Sequence, residues 1–156
     1  MKYYETEGIG RYISYLHRLG ANFLSKEYDK YEIGFGQYQF LLRLYLKDGM
    51  SHDELTEQVC LDKATTTRAI KKLEDKGYVK LTPHEKDKRK YHIYLTEKAL
   101  QQKEEIFEIS KRWEEQLIGG LEQEELDQLF YLLRKITAYN SGHFFEEEQS
   151  LNISQK

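Results

Sequence analysis

Among its 156 residues the chain has one cysteine, one proline and no apolar run longer than five residues. A lone cysteine excludes an intramolecular disulfide framework. The longest apolar run, Leu129–Leu133, falls far short of the roughly 18–20 residues that a bilayer-spanning helix needs. The opening MKYYETEG lacks the apolar centre of a secretory signal, so a cytoplasmic protein is expected. Also missing are the G-x-x-x-x-G-K-[ST] phosphate loop, the G-x-S-x-G elbow and any visible nucleophile–base pattern, so no enzyme and no cofactor are expected. The five histidines (17, 52, 84, 92 and 143) are scattered, without a Cys/His cluster at ligand spacing. No metal is expected, and His143 beside Glu146 or Glu147 is the nearest approach to a site.

What the chain does have is a charge asymmetry. The net charge is −3. Yet Lys63–His92 holds ten Lys/Arg against four Asp/Glu, a local +6, while the other residues sum to −9. A basic block inside an acidic protein points to a polyanion touching one region only. Chance clustering on a solvated surface is the plain alternative.

Periodicity and end signals predict a mainly helical domain with a small β-hairpin. Ile9, Tyr12, Ile13, Leu16, Leu19 and Phe23 form one stripe of a helix over about 7–30, broken by Gly34 and Gly36. A second helix runs from about Gln37 to Lys47, and Asp48-Gly49 ends it as a turn. Ser51 and Glu54 form a capping box, with Met50 and Leu55 placed as a hydrophobic staple. Asp62 caps a further helix only a few residues later, so the pair fits a helix-turn-helix, although the glycine often found in such a turn is missing. Gly77 suits a left-handed helix end. YVKLT (78–82) and YHIYL (91–95) alternate as strands, and PHEKDKRK between them is a projecting basic loop. Thr96 caps a long helix over about 97–117. After Gly119-Gly120 a last helix runs from about Gln123 to Tyr139, followed by a polar tail, 146–156.

The segment DKATTTRAIKKLEDKG opens on three threonines, which are poor helix formers. Projected at 100° per residue, Thr66, Ala69, Ile70 and Leu73 form a buried stripe. Ala64, Thr67, Arg68 and Lys71 fall on the opposite face, flanked by Thr65 and Lys72. Small residues, hydroxyls and cations on an exposed helix suit a major groove, where arginine pairs with guanine O6/N7 and methyl groups meet thymine. Lys63 joins them at the helix start. From the loop, Lys86, Lys88, Arg89 and Lys90 reach the backbone or the adjacent minor groove, and His84 touches phosphate. Asp87 is expected to pair with Arg89 and aim it.

In SHDELTEQVCLDKATTTRAIKKLEDKGYV, the Asp87-Lys88-Arg89 of the hairpin, the junction YLTEKAL and the C-terminal GGLEQEELDQLFYLLRKI, the chain resembles the MarR family of winged-helix transcription regulators over roughly residues 9–138. The resemblance implies a single domain over 1–156, with a winged helix-turn-helix at about 37–100 and dimerisation helices at about 7–30 and 100–140. It further implies a homodimer on a pseudo-palindromic operator in double-stranded DNA, with half-sites about 34–36 Å apart. In such regulators the recognition helix enters the major groove and the wing the minor groove. Many act as repressors released by small aromatic or amphipathic effectors, and Tyr12, Tyr15 and Tyr38 fall where relatives line an effector cavity. Ordinary core packing is the competing role for these tyrosines. Cys60, between Val59 and Leu61, is expected to be a buried, quiet thiol. A winged-helix module that binds a protein partner instead of DNA is the alternative function.

Overall fold

The computed structural model describes residues 7–141; the polar tail 146–156 and His143 lie outside the described residues. The chain divides into two compact units, 1–114 and 115–156.

The first unit begins with helix α1 (Ile9–Tyr28) and a 3-10 turn, Asp29–Tyr31. Of α1, only Gly20, Leu24 and Tyr28 are buried. The expected stripe residues Ile9, Tyr12, Ile13, Leu16 and Leu19 are all exposed. Helix α2 (Tyr38–Leu46) puts Phe40, Leu41, Leu44 and Tyr45 into the core. Then follow β1 (Met50–Ser51), α3 (His52–Val59), α4 (Lys63–Asp75), β2 (Val79–Pro83) and β3 (Tyr91–Leu95). The unit closes with α5 (Glu97–Gln101) and most of α6 (Lys103–Ile118).

The fold is mainly helical, as the sequence predicts, with a winged helix-turn-helix at its centre. The hairpin is part of a three-stranded antiparallel sheet in the order β1-β3-β2. In it Met50 faces Ile93, and Val79 and Leu81 face Leu95 and Ile93. Strand β1 was missed because two residues carry no readable alternation. Its entry is fixed instead by the Asp48-Gly49 turn. The Leu95 amide donates to Asp48 Oδ1 at 2.8 Å and the Gly49 amide to the Ile93 carbonyl at 3.0 Å. Gly49 has φ +74°, and a Cβ there would stand 2.7 Å from the Tyr94 ring. Conformation and space both require glycine.

The capping box on α3 is present: Ser51 Oγ accepts from the Glu54 amide at 3.2 Å, and the Ser51 amide donates to Glu54 Oε2 at 2.8 Å. Helix α4 ends as expected, with the Tyr78 amide bonded to the Leu73 carbonyl and the Gly77 amide to that of Glu74, both 2.9 Å. This is a Schellman motif with Gly77 at φ +75°.

The long helix expected over 97–117 is two, interrupted at Gln102 (φ −97°, ψ 2°). There the Tyr78 hydroxyl donates to the Tyr31 carbonyl at 2.7 Å and lies 2.6 Å from the Gln102 side-chain amide. Two further tyrosines anchor the unit. Tyr28 Oη sits 2.6 Å from Ser110 Oγ and donates to the Ile106 carbonyl at 3.1 Å, and Tyr45 Oη donates to the Ala99 carbonyl at 2.6 Å. Burial pushes the phenols of Tyr28 and Tyr78 up to about 12, and that of Tyr45 up as well.

The second unit contains helix α7 (Gln123–Ser141). Its start is held by the Glu122 amide donating to Glu125 Oε2 at 2.9 Å. Leu129, Phe130, Leu133 and Ile136 lie exposed along it.

Candidate nucleic-acid interface

Helix α4 separates its two faces as the projection requires. Thr66, Ala69, Ile70 and Leu73 are buried; Ala64, Thr67, Arg68, Lys71 and Lys72 are exposed, as is Lys63, and Thr65 is half-buried. The three threonines divide the work. Thr66 is fully buried, with its hydroxyl 3.0 Å from that of Thr56 and donating to the Asp62 carbonyl at 3.1 Å. This polar pair joins α3 to α4 and leaves no buried oxygen unpaired. Thr67 faces outward, its hydroxyl proton given to the Lys63 carbonyl at 2.8 Å, so its lone pair accepts from His52 Nε2–H at 2.9 Å. Thr65 pairs with Asp62, the N-cap of α4. Its amide donates to Asp62 Oδ1 (2.8 Å) and its hydroxyl to Oδ2 (2.6 Å). Those donors hold the Asp62 carboxyl below the usual carboxylate range.

Two cations of this face are paired within the protein. Lys63 Nζ is 2.8 Å from Asp53, and Lys71 Nζ is 2.9 Å from Asp75 and 3.5 Å from Glu74. These hydrogen-bonded pairs raise both lysines above their ordinary value and lower Asp53. They are solvent-exposed and weak, so a phosphate can exchange for the carboxylate.

The loop between β2 and β3 is a compact turn. The His84 amide donates to the Lys90 carbonyl at 2.8 Å and the Lys90 amide to that of Asp87 at 2.9 Å. Lys86, Lys88, Arg89 and Lys90 are exposed and, among the described residues, engaged in no ion pair. Asp87 differs from expectation. Its Oδ1 accepts from the backbone amide of Arg89 at 3.1 Å, not from the guanidinium. It shapes the turn that carries Arg89 and leaves the guanidinium to solvent. His84 stacks on His92, ring centroids 5.3 Å apart.

The exposed face of α4 and this loop form two walls of one cleft of about 820 Å³. Thr67, Lys63 and Lys71 line one side, Arg89, Lys90 and Tyr91 the other, and Ile70, Leu81 and Ile93 the apolar floor. Sequence reasoning missed His52 and His92, which also line the cleft. His52 is fifteen residues from Thr67, and no local spacing signals such a pair.

The three tyrosines that the family resemblance places at an effector cavity differ in their surroundings. Tyr38 is half-buried and stacked on Tyr28 at 5.3 Å and beside Phe35 at 5.6 Å, whereas Tyr12 and Tyr15 are more than half exposed. Cys60 is also corrected. It is exposed, not buried, because it occupies the left-handed position that ends α3, at φ +53°. The missing turn glycine is replaced by a strained cysteine. Its Sγ donates to the Glu57 carbonyl at 3.1 Å, and partial desolvation raises its thiol.

A family model described as "MarR family" matches residues 36–91. The HTH-type transcriptional regulator BilQ of Clostridium symbiosum is 31% identical over 121 residues, covering 78% of this chain and 84% of BilQ. The chain belongs to the MarR family. Among solved structures, a MarR transcriptional regulator from Methanosarcina mazei Go1 is 37% identical with a TM-score of 0.78, covering 85% of this chain and 95% of that one. Reduced AbfR, solved bound to DNA, is 27% identical with a TM-score of 0.68, over 84% of this chain and 89% of its own. Like these MarR-family relatives, the protein is a transcriptional regulator and not an enzyme.

Proposed function

We propose that the protein is a cytoplasmic repressor that binds a pseudo-palindromic operator as a homodimer, α4 in the major groove and the β2–β3 wing in the minor groove, and is released by a small aromatic or amphipathic effector. One observation carries the DNA reading: Thr67, Arg68 and Lys71 are exposed on α4, and Thr67 and Lys71 line a cleft together with Arg89 and Lys90 of the basic loop. A phosphate strand separates a major groove from the neighbouring minor groove, and the cation-lined cleft between helix and wing is where that strand would run. That reduced AbfR, a relative of the same fold, has been solved bound to DNA supports DNA as the partner. The dimer is supported by the apolar side chains left exposed on α1 in the first unit and, separately, on α7 in the second. A free apolar stripe of that length marks an association surface.

The test begins with duplexes selected by the protein from a randomised pool. Arg68→Ala is expected to cut affinity for the selected operator by about 1–3 kcal/mol and to relax choice at one base pair per half-site. Equal losses on operator and random DNA would remove Arg68 from base readout. A protein-docking module would instead show no retention on DNA at low salt. The effector arm asks whether candidate aromatic ligands release the operator complex.

A further inference from the structure

Of the three consecutive threonines, Thr65 alone breaks the local rule. Thr66 and Thr67 both donate their hydroxyl protons to the carbonyl four residues back, at 3.1 and 2.8 Å. Thr65 donates instead to the Asp62 carboxylate, Oδ2, at 2.6 Å. With its proton committed there, the Thr65 oxygen presents only lone pairs to the next turn of the helix. Arg68 Nη2 donates to that oxygen at 3.0 Å. The three residues make a chain, carboxylate to hydroxyl to guanidinium, along the surface of α4.

We propose that Asp62, acting through Thr65, is a positioning residue that sets the base specificity of Arg68. The inference rests on the DNA-binding reading above and deepens it. A guanidinium has five N–H donors, and each Nη2 hydrogen belongs to one of its two forks. Spending one Nη2 hydrogen on Thr65 leaves the other fork whole, so a bidentate contact to guanine O6 and N7 remains available. The contact that fixes the side chain does not consume the contact that reads DNA. Arginine otherwise loses substantial rotamer freedom when it binds. Holding it in place beforehand concentrates its affinity on the base that fits the held geometry. The Asp62 charge is directed into the helix cap and the Thr65 hydroxyl, and Coulomb attraction to Arg68 adds to the lowering of its carboxyl.

The relay makes specificity and affinity separable. Thr65→Val keeps the Asp62 bond to the residue 65 amide, and therefore the cap, but removes the acceptor of Arg68. Asp62→Ser keeps a capping oxygen but removes the second carboxylate oxygen that orients Thr65. The assay is fluorescence anisotropy with a selected operator duplex and its variants at the base pair whose preference Arg68→Ala relaxes. Both Thr65→Val and Asp62→Ser are expected to lower discrimination at that pair about three- to tenfold, the equivalent of one net hydrogen bond. Affinity for random duplex should not fall, and the thermal midpoint serves as the folding control. In an Arg68→Ala background, Thr65→Val should change discrimination no further. Undiminished discrimination in both variants would overturn the relay, as would an equal loss in the Arg68→Ala background, which would make Thr65 a direct base contact. If Arg68→Ala itself leaves discrimination intact, the base-readout reading fails, and the relay with it.

Discussion

At the scale of single residues, the turn of the helix-turn-helix rests on a non-glycine residue in a glycine position. The Cys60 amide bonds to the Glu57 carbonyl at 3.1 Å and the Leu61 amide to that of Thr56 at 3.4 Å, the two bonds of a Schellman ending. An L-residue in the left-handed region costs roughly 1–2 kcal/mol. Glycine removes that strain and returns roughly 0.5–1 kcal/mol through the flexibility of the unfolded chain. Cys60→Gly is therefore expected to raise unfolding free energy by up to about 1 kcal/mol, measured as a higher urea midpoint at unchanged slope. A lower midpoint would mean that the Sγ contact to the Glu57 carbonyl outweighs the strain. The apolar neighbours Val59 and Leu61 made this cysteine look buried. Backbone conformation, which neighbours do not encode, put it outside.

At the scale of elements, helix α4 was legible in detail because both ends carry chemical signals and its stripe is regular. Asp62 caps it, Gly77 ends it and the four inward residues follow the helical period. The wing strands were legible to within one residue, and the basic loop was read from charge alone. What escaped was tertiary. Strand β1 exists through pairing with β3, the break at Gln102 coincides with contact to a tyrosine twenty-four residues away, and His52 meets Thr67 only because α3 and α4 pack. Asp87 was assigned to the right turn but to the wrong atom of Arg89, since composition does not separate a backbone donor from a side-chain one. The wing makes its own prediction. Lys88 has no ion partner among the described residues, so a phosphate contact is its proposed role. Lys88→Ala should weaken operator and random DNA alike and reduce the slope of log K against log salt by about 0.9. An unchanged slope would show that Lys88 touches no phosphate.

At the scale of the whole molecule, buried tyrosines set the alkaline limit of stability. Tyr28 and Tyr78 titrate at about 12 in the fold against an ordinary 10, and Tyr45 is raised too, all chiefly through burial. A raised folded value means that the stabilisation is complete below pH 10. It is lost as pH climbs through 12, because the unfolded chain releases these protons first. The thermal midpoint is expected to hold to about pH 10 and fall between 10 and 12; a flat profile to pH 12 would contradict the burial argument. In the proposed complex two copies of α4 read one duplex from adjacent major-groove faces, and dimethyl sulfate probing of guanine N7, a major-groove atom, reports on that arrangement. Two protected patches about 10–10.5 base pairs apart are expected, with Arg68→Ala exposing one guanine in each. Full binding with every guanine N7 still reactive, or a single protected patch, would contradict it.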